Sequence, residues 1–375
     1  MRVLVINAGS SSVKLRVVEP DGAVGHRADL DAPRGRPAAG ELEATAIRLA
    51  HEAGGVDAVG HRVVHGGPDF TGPTRVDPDV LARIDRLTVL APLHQPPALA
   101  GLRAVAEAMP DVPSVACFDT AFHTTMPAAA STYAVPSRWR AEYGLRRYGF
   151  HGLAHDWGSA RAAELVGRPR ESVRVVVAHL GSGASACAVV DGRSVDTTMG
   201  FTPTAGLVMA TRCGDLDPSA VTWLTLHAGV PAAEVDHALD HESGLLALAG
   251  DADMRRVLGA AEAGEPDAAA ALEVWVHRTR AQLAAMAAAA GGVDVLVFSG
   301  GVGENAPALR RRVVAGLGFL GLALDPDADT AAVGGREGDV SAPGAAARTV
   351  VVHAREDLVI ARQVEEVMVA ATRST

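Results

Sequence analysis

Lysine is almost absent from this chain of 375 residues: Lys14 is the only one, although lysine and arginine together number 34. An arginine-biased surface loses little by dropping lysine, so a survivor just beyond a serine-rich turn points to a place that uses a compact ammonium rather than a planar guanidinium. Cysteine is scarce too. Cys117, Cys187 and Cys213 are odd in number, form no CxxC pair and lie in apolar or glycine-rich surroundings, which argues for a reduced, cytoplasmic protein. Positive charge is in deficit. A formal net charge of -10 repels the phosphates of nucleic acids and anionic membranes, so neither is expected as a main partner. Long apolar runs are missing as well. No stretch approaches the ~20 residues of a membrane span, and Met1-Arg2 leads straight into a strand rather than into a signal segment.

What is present is enough apolar material, 48% of residues, for more than one core. The length predicts two domains of ~150 to 200 residues, and an internal repeat supports that division. Val3-Leu4-Val5-Ile6-Asn7-Ala8-Gly9-Ser10-Ser11-Ser12 has a twin in Val175-Val176-Val177-Ala178-His179-Leu180-Gly181-Ser182-Gly183-Ala184. In each copy a buried-type strand enters a Gly/Ser turn and leaves as a second strand, Val13 to Glu19 or Ser185 to Asp191. The copies lie about half a chain apart, the spacing of a duplicated domain.

Between and after the copies the pattern is that of an α/β protein. Helices are expected from about Gly40 to Ala53, Asp77 to Val89, Pro96 to Ala108, into Val166, from Pro218 to near Gly229, from Pro266 to Ala290, from Ala306 to Gly316 and from Glu356 to about Ala371. Strands are expected at 56–65, Val112 to Phe118, Val293 to Phe298 and Thr349 to His353, while the Asp/Gly/Ala-rich stretch 325–348 reads as a loop or an edge hairpin.

Glycine turns follow strands at Gly9, Gly181 and Gly301, and backbone N–H groups in such turns converge on phosphate. A P-loop is excluded, because Val13 and not glycine precedes the only lysine. Gly181-Ser182-Gly183 runs on into a strand, which rules out a Rossmann fingerprint there; Gly301-Val302-Gly303-Glu304-Asn305 opens a helix, so a dinucleotide site stays open at that point. His151 and His155 share i,i+4 spacing without the glutamate of a zincin, so zinc is discounted. Hard oxygen ligands such as Asn7, Asp119 and Glu356 suit magnesium, which keeps waters and bridges phosphates.

Six segments, in order and across nearly the whole chain, resemble the acetate kinase family: Asn7 to Lys14, Gly60 to Gly67, Phe118 to His123, Arg147 to Gly152, Met199 to Pro203, and Gly301 to Asn305. The resemblance implies a duplicated actin-like ATPase (ribonuclease H-like) fold of the α/β class, with two domains around a nucleotide cleft: 1–123 plus 358–375, and 124–357. It implies Asn7 and Glu356 at magnesium (with manganese as a substitute), and Lys14, Ser10 and Ser12 near the nucleotide phosphates. It places Arg62 on the substrate, Asp119 at the catalytic position, and His151 and Arg212 on the transferring phosphoryl group. His179, Leu180, Gly181, Ser182 and Gly183, then Asp253, Met254 and Arg255, then Gly301, Val302, Gly303, Glu304 and Asn305 match the nucleotide segments. Val64, Leu93, Phe150 and Pro203 match the apolar pocket for the acyl group. The implied reaction is reversible transfer of phosphate from ATP to acetate, in a homodimer.

The chemistry suits these residue types. A carboxylate attacking a γ-phosphate brings two anions together, so arginine forks must neutralise the transition state. Acetate is already ionised at neutral pH and needs no general base; Asp119 is therefore assigned to organising magnesium and orienting groups. The sequence departs from the family pattern at Ser182 (asparagine in the pattern), at Gln95 (asparagine), at Leu153-Ala154 (Thr-Ser), and at Ala354-Arg355-Glu356-Asp357 (Thr-Asn-Glu-Glu), where the metal ligand is open between Glu356 and Asp357. Propionate or butyrate kinase activity is the neighbouring expectation. A nucleotide-driven binding protein of the heat-shock ATPase type is the expectation from another class, and an NAD oxidoreductase a distant third.

Overall fold

The structure is a computed structural model that describes residues 1–9, 12–32, 37–91 and 95–373. Chain contacts divide it into two units. The first comprises Met1–Thr124, Phe150–Trp157 and Arg355–Thr375, the second Thr125–Gly149 and Gly158–Ala354.

The first unit is built on β1 (Val3–Ala8), β2 (Ser12–Val18), β3 (Val24–Asp31), β4 (Ala58–Val63), β5 (Thr74–Arg75) and β6 (Ser114–Phe118), in spatial order β3-β2-β1-β4-β6-β5. The second uses β7 (Val175–Leu180), β8 (Ala184–Val190), β9 (Arg193–Thr197), β10 (Val295–Ser299), β11 (Gly338–Asp339) and β12 (Arg348–Val351), in order β9-β8-β7-β10-β12-β11. The two orders are identical once β7 is matched to β1. Directions match as well. β1 pairs antiparallel with β2 and parallel with β4, and β7 does the same with β8 and β10. Even the short edge strands correspond, β5 on β6 and β11 on β12, both antiparallel. The repeat seen in the sequence is thus a repeat of whole mixed sheets. It differs at the first turn, where Ala8 pairs with Val13 but Leu180 pairs with Ala184, so the second turn is one residue shorter.

Alternation along the strands sends one set of side chains to each face. In the first unit Leu4, Ile6, Val13, Leu15 and Val17 pack with Leu42, Ala46 and Leu49 of the helix Glu41–Glu52. The opposite face, Val3, Val5, Ala58, Val115 and Cys117, is covered by Val359, Ile360 and Val364 of the C-terminal helix Glu356–Arg373. Full burial of each such aliphatic side chain is worth ~1.5–3 kcal/mol, which is what returns the C-terminal helix to the N-terminal sheet. In the second unit the helix Pro266–Ala289 buries Leu272, Trp275, Val276, Leu283 and Met286 and packs on β7 and β8.

The structure departs from the sequence reading in several places; the helices Ala232–His241 and Gly244–Ala249, for instance, were not expected. The helix expected over Ala306 to Gly316 is two, Gly300–Asn305 and Pro307–Val314, because Pro307 lacks the N–H that would continue the first. A helix Met254–Glu262, capped by Asp253, was not expected. The stretch 325–348 holds the helix Pro326–Ala331 as well as the edge strand β11. Among the described residues no helix is long and apolar enough to cross a membrane.

Candidate active site

Three neighbouring strand ends of the first unit deliver Asn7, Arg62 and Asp119, the place where an α/β sheet presents ligand groups. All three follow the alternation of the face covered by the C-terminal helix, whose first residue is Glu356. The Arg62 guanidinium meets Asp119 side-on: Nε donates to Oδ1 and Oδ2, each at 3.1 Å, and Nη2 to Oδ2 at 2.7 Å. Arg62 Nη1 donates to Asn7 Oδ1 at 3.1 Å, and Asn7 Nδ2 donates to Glu356 Oε2 at 2.5 Å. Glu356 Oε2 also lies 3.7 Å from Arg62 Nη1.

Asp119 is 1% exposed. Burial pushes its carboxyl above the ordinary value, opposed by Arg62 and by the backbone N–H of His151. Burial would lower the Arg62 value, but Asp119 and Glu356 more than offset it and hold the guanidinium charged. Lys14 stands directly across the β1–β2 ladder from Asn7, so both project from the same face of the sheet. The Asp357 carboxylate is held by Arg355, from Nε and Nη2, each at 2.9 Å. Of the two acids, Glu356 is the one that meets Asn7.

A tight loop carries the next residues. Gly152 N–H donates to the Asp119 carbonyl at 3.0 Å, and a Cβ at Gly152 would sit 2.1 Å from that oxygen, so only glycine fits. His151 has φ of 56°, a left-handed conformation that costs a non-glycine residue roughly 1–3 kcal/mol and clusters at functional sites. Phe150 is buried, its carbonyl bonded to His123 Nε2 at 3.0 Å and its ring edge-on to His65 at 5.2 Å. Val64, also buried, precedes His65. Gln95 clamps that backbone, its Oε1 accepting His65 N–H at 3.3 Å and its Nε2 donating to His65 O at 2.8 Å.

In the second unit the turn Gly181–Ser182–Gly183 is closed by Gly181 N–H on Gly183 O at 3.0 Å, and the Ser182 carbonyl accepts from Ala210 N–H at 3.0 Å. His179 pairs across to Ser299 on β10, which places Leu180 beside Gly300. Gly300 has φ of 77° and a Cβ there would lie 2.7 Å from Leu180 O, so this contact requires glycine. Gly301 and Asn305 are exposed and Val302 is half-buried, whereas Gly303 and Glu304 are buried. Glu304 turns inward: its carboxylate accepts from Gly300 N–H at 3.0 Å, Ala354 N–H at 3.1 Å and pairs with His353 Nδ1 at 2.6 Å. Burial alone would raise its carboxyl; His353 and the Ala354 N–H hold it below the ordinary value. Arg212 Nη1 reaches the Pro203 carbonyl at 3.3 Å. Burial lowers the Arg212 value, partly offset by Asp240. Asp253 caps its helix through Arg255 N–H at 2.9 Å and pairs with Arg255 Nη2 at 2.6 Å, while Met254 is buried.

Each unit therefore gathers its own share of the expected residues. Asn7, Lys14, Arg62, Val64, Asp119, Phe150, His151 and Glu356 belong to the first, and the segments at 179–183, 203, 212, 253–255 and 301–305 to the second. Ser10 and Leu93 lie outside the described residues; Ser12 opens β2. Sequence reasoning noted Gln95 only as a departure and had no reading for Arg310 or Asp329, a buried ion pair beside the 300–305 segment. Arg310 is one of three consecutive arginines, and nothing in their spelling marks the buried one.

The oxygen donors around Arg62 fit a magnesium ion. Among the described residues no three His, Cys, Asp or Glu side chains gather as a closed cage. The Asn7 amide and Glu356 carboxylate instead form the sparse, hard set that magnesium uses while keeping waters.

Comparison with known proteins shows the family to which the chain belongs. The sequence profile of the Acetokinase family matches residues 38–362. The acetate kinase of Micrococcus luteus is 48% identical, the match covering 96% of this chain and 98% of that one; that of Clavibacter michiganensis is 45% identical with the same coverage. The chain belongs to the acetokinase family. The acetokinase fold extends over the full length: the crystal structure of Porphyromonas gingivalis acetate kinase superposes with a TM-score of 0.87 at 35% identity, covering 98% of this chain and 99% of that one. A propionate kinase from Francisella tularensis superposes with a TM-score of 0.88 at 34% identity, covering 96% and 98%. Acetokinase relatives with two different carboxylates in their names thus share one frame.

Proposed function

We propose that this chain is an acetate kinase, catalysing acetate + ATP to acetyl phosphate + ADP and the reverse by direct in-line transfer. The observation that carries this reading is the Asn7–Arg62–Asp119–Glu356 network, placed at strand ends in an acetokinase-family chain. A guanidinium has five N–H donors. Arg62 spends Nε–H and one Nη2–H on Asp119 and one Nη1–H on Asn7. Each terminal nitrogen has one further N–H that could donate to a substrate carboxylate, with Glu356 Oε2 3.7 Å from Nη1.

In this reading one acetate oxygen attacks the γ-phosphorus, the bond from that phosphorus to the bridging oxygen breaks, and ADP leaves with the electron pair. No proton moves, because acetate is already an anion. Asp119 keeps Arg62 oriented, and the Arg62 charge draws in the anionic nucleophile. His151, set by its left-handed backbone, and Arg212 donate to the phosphoryl oxygens as charge redistributes. Val64, Phe150, Leu93 and Pro203 receive the methyl group. Asn7 and Glu356 would hold magnesium, which would neutralise charge on the phosphate oxygens. The segments at 179–183, 253–255 and 301–305 hold ATP, with Ser10, Ser12 and Lys14 on the phosphates.

We also propose a cytoplasmic homodimer. The helix Pro218–Leu226 has no buried residue, yet Trp223 is 57% and Leu226 77% exposed, with Leu216 at 48% just before it. A second copy of the chain is the occupant that would cover such an apolar face.

The test is an assay coupling ATP formation to acetyl phosphate and ADP with magnesium, run beside propionyl and butyryl phosphates. Acetyl phosphate is expected to give the highest kcat/KM. Folded protein that turns over none of the three would overturn the reading.

A further inference from the structure

Arg310 lies in the run Arg310-Arg311-Arg312 on the helix Pro307–Val314. The side chains of Arg311 and Arg312 are 41% and 35% exposed; that of Arg310 is 1% exposed. A guanidinium is stable there only if its donors are met, and they are. Nε donates to Asp329 Oδ1 at 2.6 Å, Nη2 to the Asp329 carbonyl at 2.5 Å and the Ala332 carbonyl at 3.1 Å, and Nη1 to the carbonyls of Gly303 at 2.8 Å and Glu304 at 2.9 Å.

The last two contacts answer a local deficit. In a continuous helix the Gly303 carbonyl would accept the N–H four residues on, but that residue is Pro307 and has none. The helix Gly300–Asn305 breaks there, and Arg310 supplies the missing donors from the following turn. The same short helix is held at its other end by Glu304, which takes the Gly300 N–H. Asn305 ties it further, Nδ2 donating to the Gly301 carbonyl and Oδ1 accepting Gly334 N–H, both at 3.0 Å. Gly301, by contrast, faces open space, with nothing within 4 Å of an added Cβ.

We infer that Arg310 is a positioning residue for the nucleotide, fixing the Gly301–Asn305 segment from behind through the Gly303 and Glu304 carbonyls. The inference rests on the reading that this segment contacts ATP. Asp329 serves a different purpose: its carboxylate neutralises Arg310 and Arg311 and makes its hydrogen bonds to them rather than to the segment.

The experiment uses the full-length enzyme with four substitutions, Arg310→Gln serving as a second probe of folding at that position. Arg310→Lys keeps the charge beside Asp329 but loses the fork that reaches both carbonyls; KM for ATP is expected to rise at least tenfold, with KM for acetate within twofold and a single cooperative thermal transition. Asp329→Asn keeps an oxygen for Arg310 and is expected to leave KM for ATP within twofold while lowering the melting temperature. Gly301→Glu places a carboxylate on the exposed side of the segment and is expected to raise KM for ATP regardless of Arg310. If Gly301→Glu has no effect on ATP, the nucleotide reading of the segment fails. If it does and Arg310→Lys does not, or raises both KM values alike, the positioning role is overturned. Failure of both Arg310→Lys and Arg310→Gln to fold would make Arg310 a stability element only, which also overturns it.

Discussion

Glu356 Oε2 accepts a hydrogen bond from Asn7 Nδ2 at 2.5 Å, joining residues 349 positions apart. The contact exists because the helix that begins at Glu356 buries Val359, Ile360 and Val364 on the sheet whose first strand ends at Asn7. Burial along the helix thus sets where its first carboxylate lies.

Glu356→Ala is expected to raise the magnesium concentration for half-maximal velocity by roughly tenfold or more, since one of few hard ligands is lost. Asp357→Ala is expected to shift it by less than about twofold, because Arg355 holds that carboxylate elsewhere. A metal titration of velocity compares the two, and the reverse ranking would move the ligand to Asp357.

Removing Arg62 leaves the buried Asp119 carboxylate uncompensated. Arg62→Ala is expected to cost ~3–5 kcal/mol of stability and on the order of 10²- to 10³-fold in turnover. Arg62/Asp119 double replacement by alanine should recover much of the stability and none of the activity. Denaturant titration and the coupled assay read the two effects separately; an active Arg62→Ala enzyme would remove the arginine from the site.

His61 is 3% exposed, and burial pulls its value from 6.5 down to about 3. Between those two values the unfolded chain binds a proton that the folded chain refuses, so stability falls as pH drops through that window. Above it the residue contributes no pH dependence. His61→Gln should therefore flatten the acid side of the stability curve by up to one proton, measured by urea unfolding at about pH 7 and about pH 5. Parallel curves for the two proteins would show that His61 does not titrate this way.

Ser182 occupies the exposed turn after β7 where the family pattern has asparagine. A longer amide at this position should reach phosphate oxygens that a hydroxyl does not. Ser182→Asn is expected to lower KM for ATP by roughly three- to tenfold, the net worth of about one ordinary hydrogen bond. An unchanged KM would place the turn away from the phosphates.

Trp223→Glu with Leu226→Glu puts charge on the exposed apolar helix. If the proposed dimer forms through this face, light scattering should then find a monomer in place of the dimer expected of the unaltered chain, since a desolvated charge at the centre of an interface typically costs several kcal/mol. Dimers that persist would put the interface on another face.

The repeated hairpins and most strand positions were legible in the sequence because each is local; the candidate residues came from the resemblance of short motifs to a family. Alternation at period two, glycine turns and a lone lysine are properties of neighbours along the chain. Helices were less legible: Pro307 alone divides one helix into two, and the helix Met254–Glu262 is only nine residues long.

By itself, then, the sequence determined the duplicated α/β plan, the family resemblance and which residue types could meet a phosphate and a carboxylate. Only the tertiary structure decided which of them touch. It selected Glu356 over Asp357, turned Glu304 inward onto Gly300 and His353, and buried Arg310 rather than Arg311 or Arg312. For Glu356 and Asp357, and for the three arginines, adjacent residues of the same chemistry differ in the direction of their side chains, and that direction follows from which helix face is buried. Burial depends on partners dozens to hundreds of positions away, which local patterning does not encode.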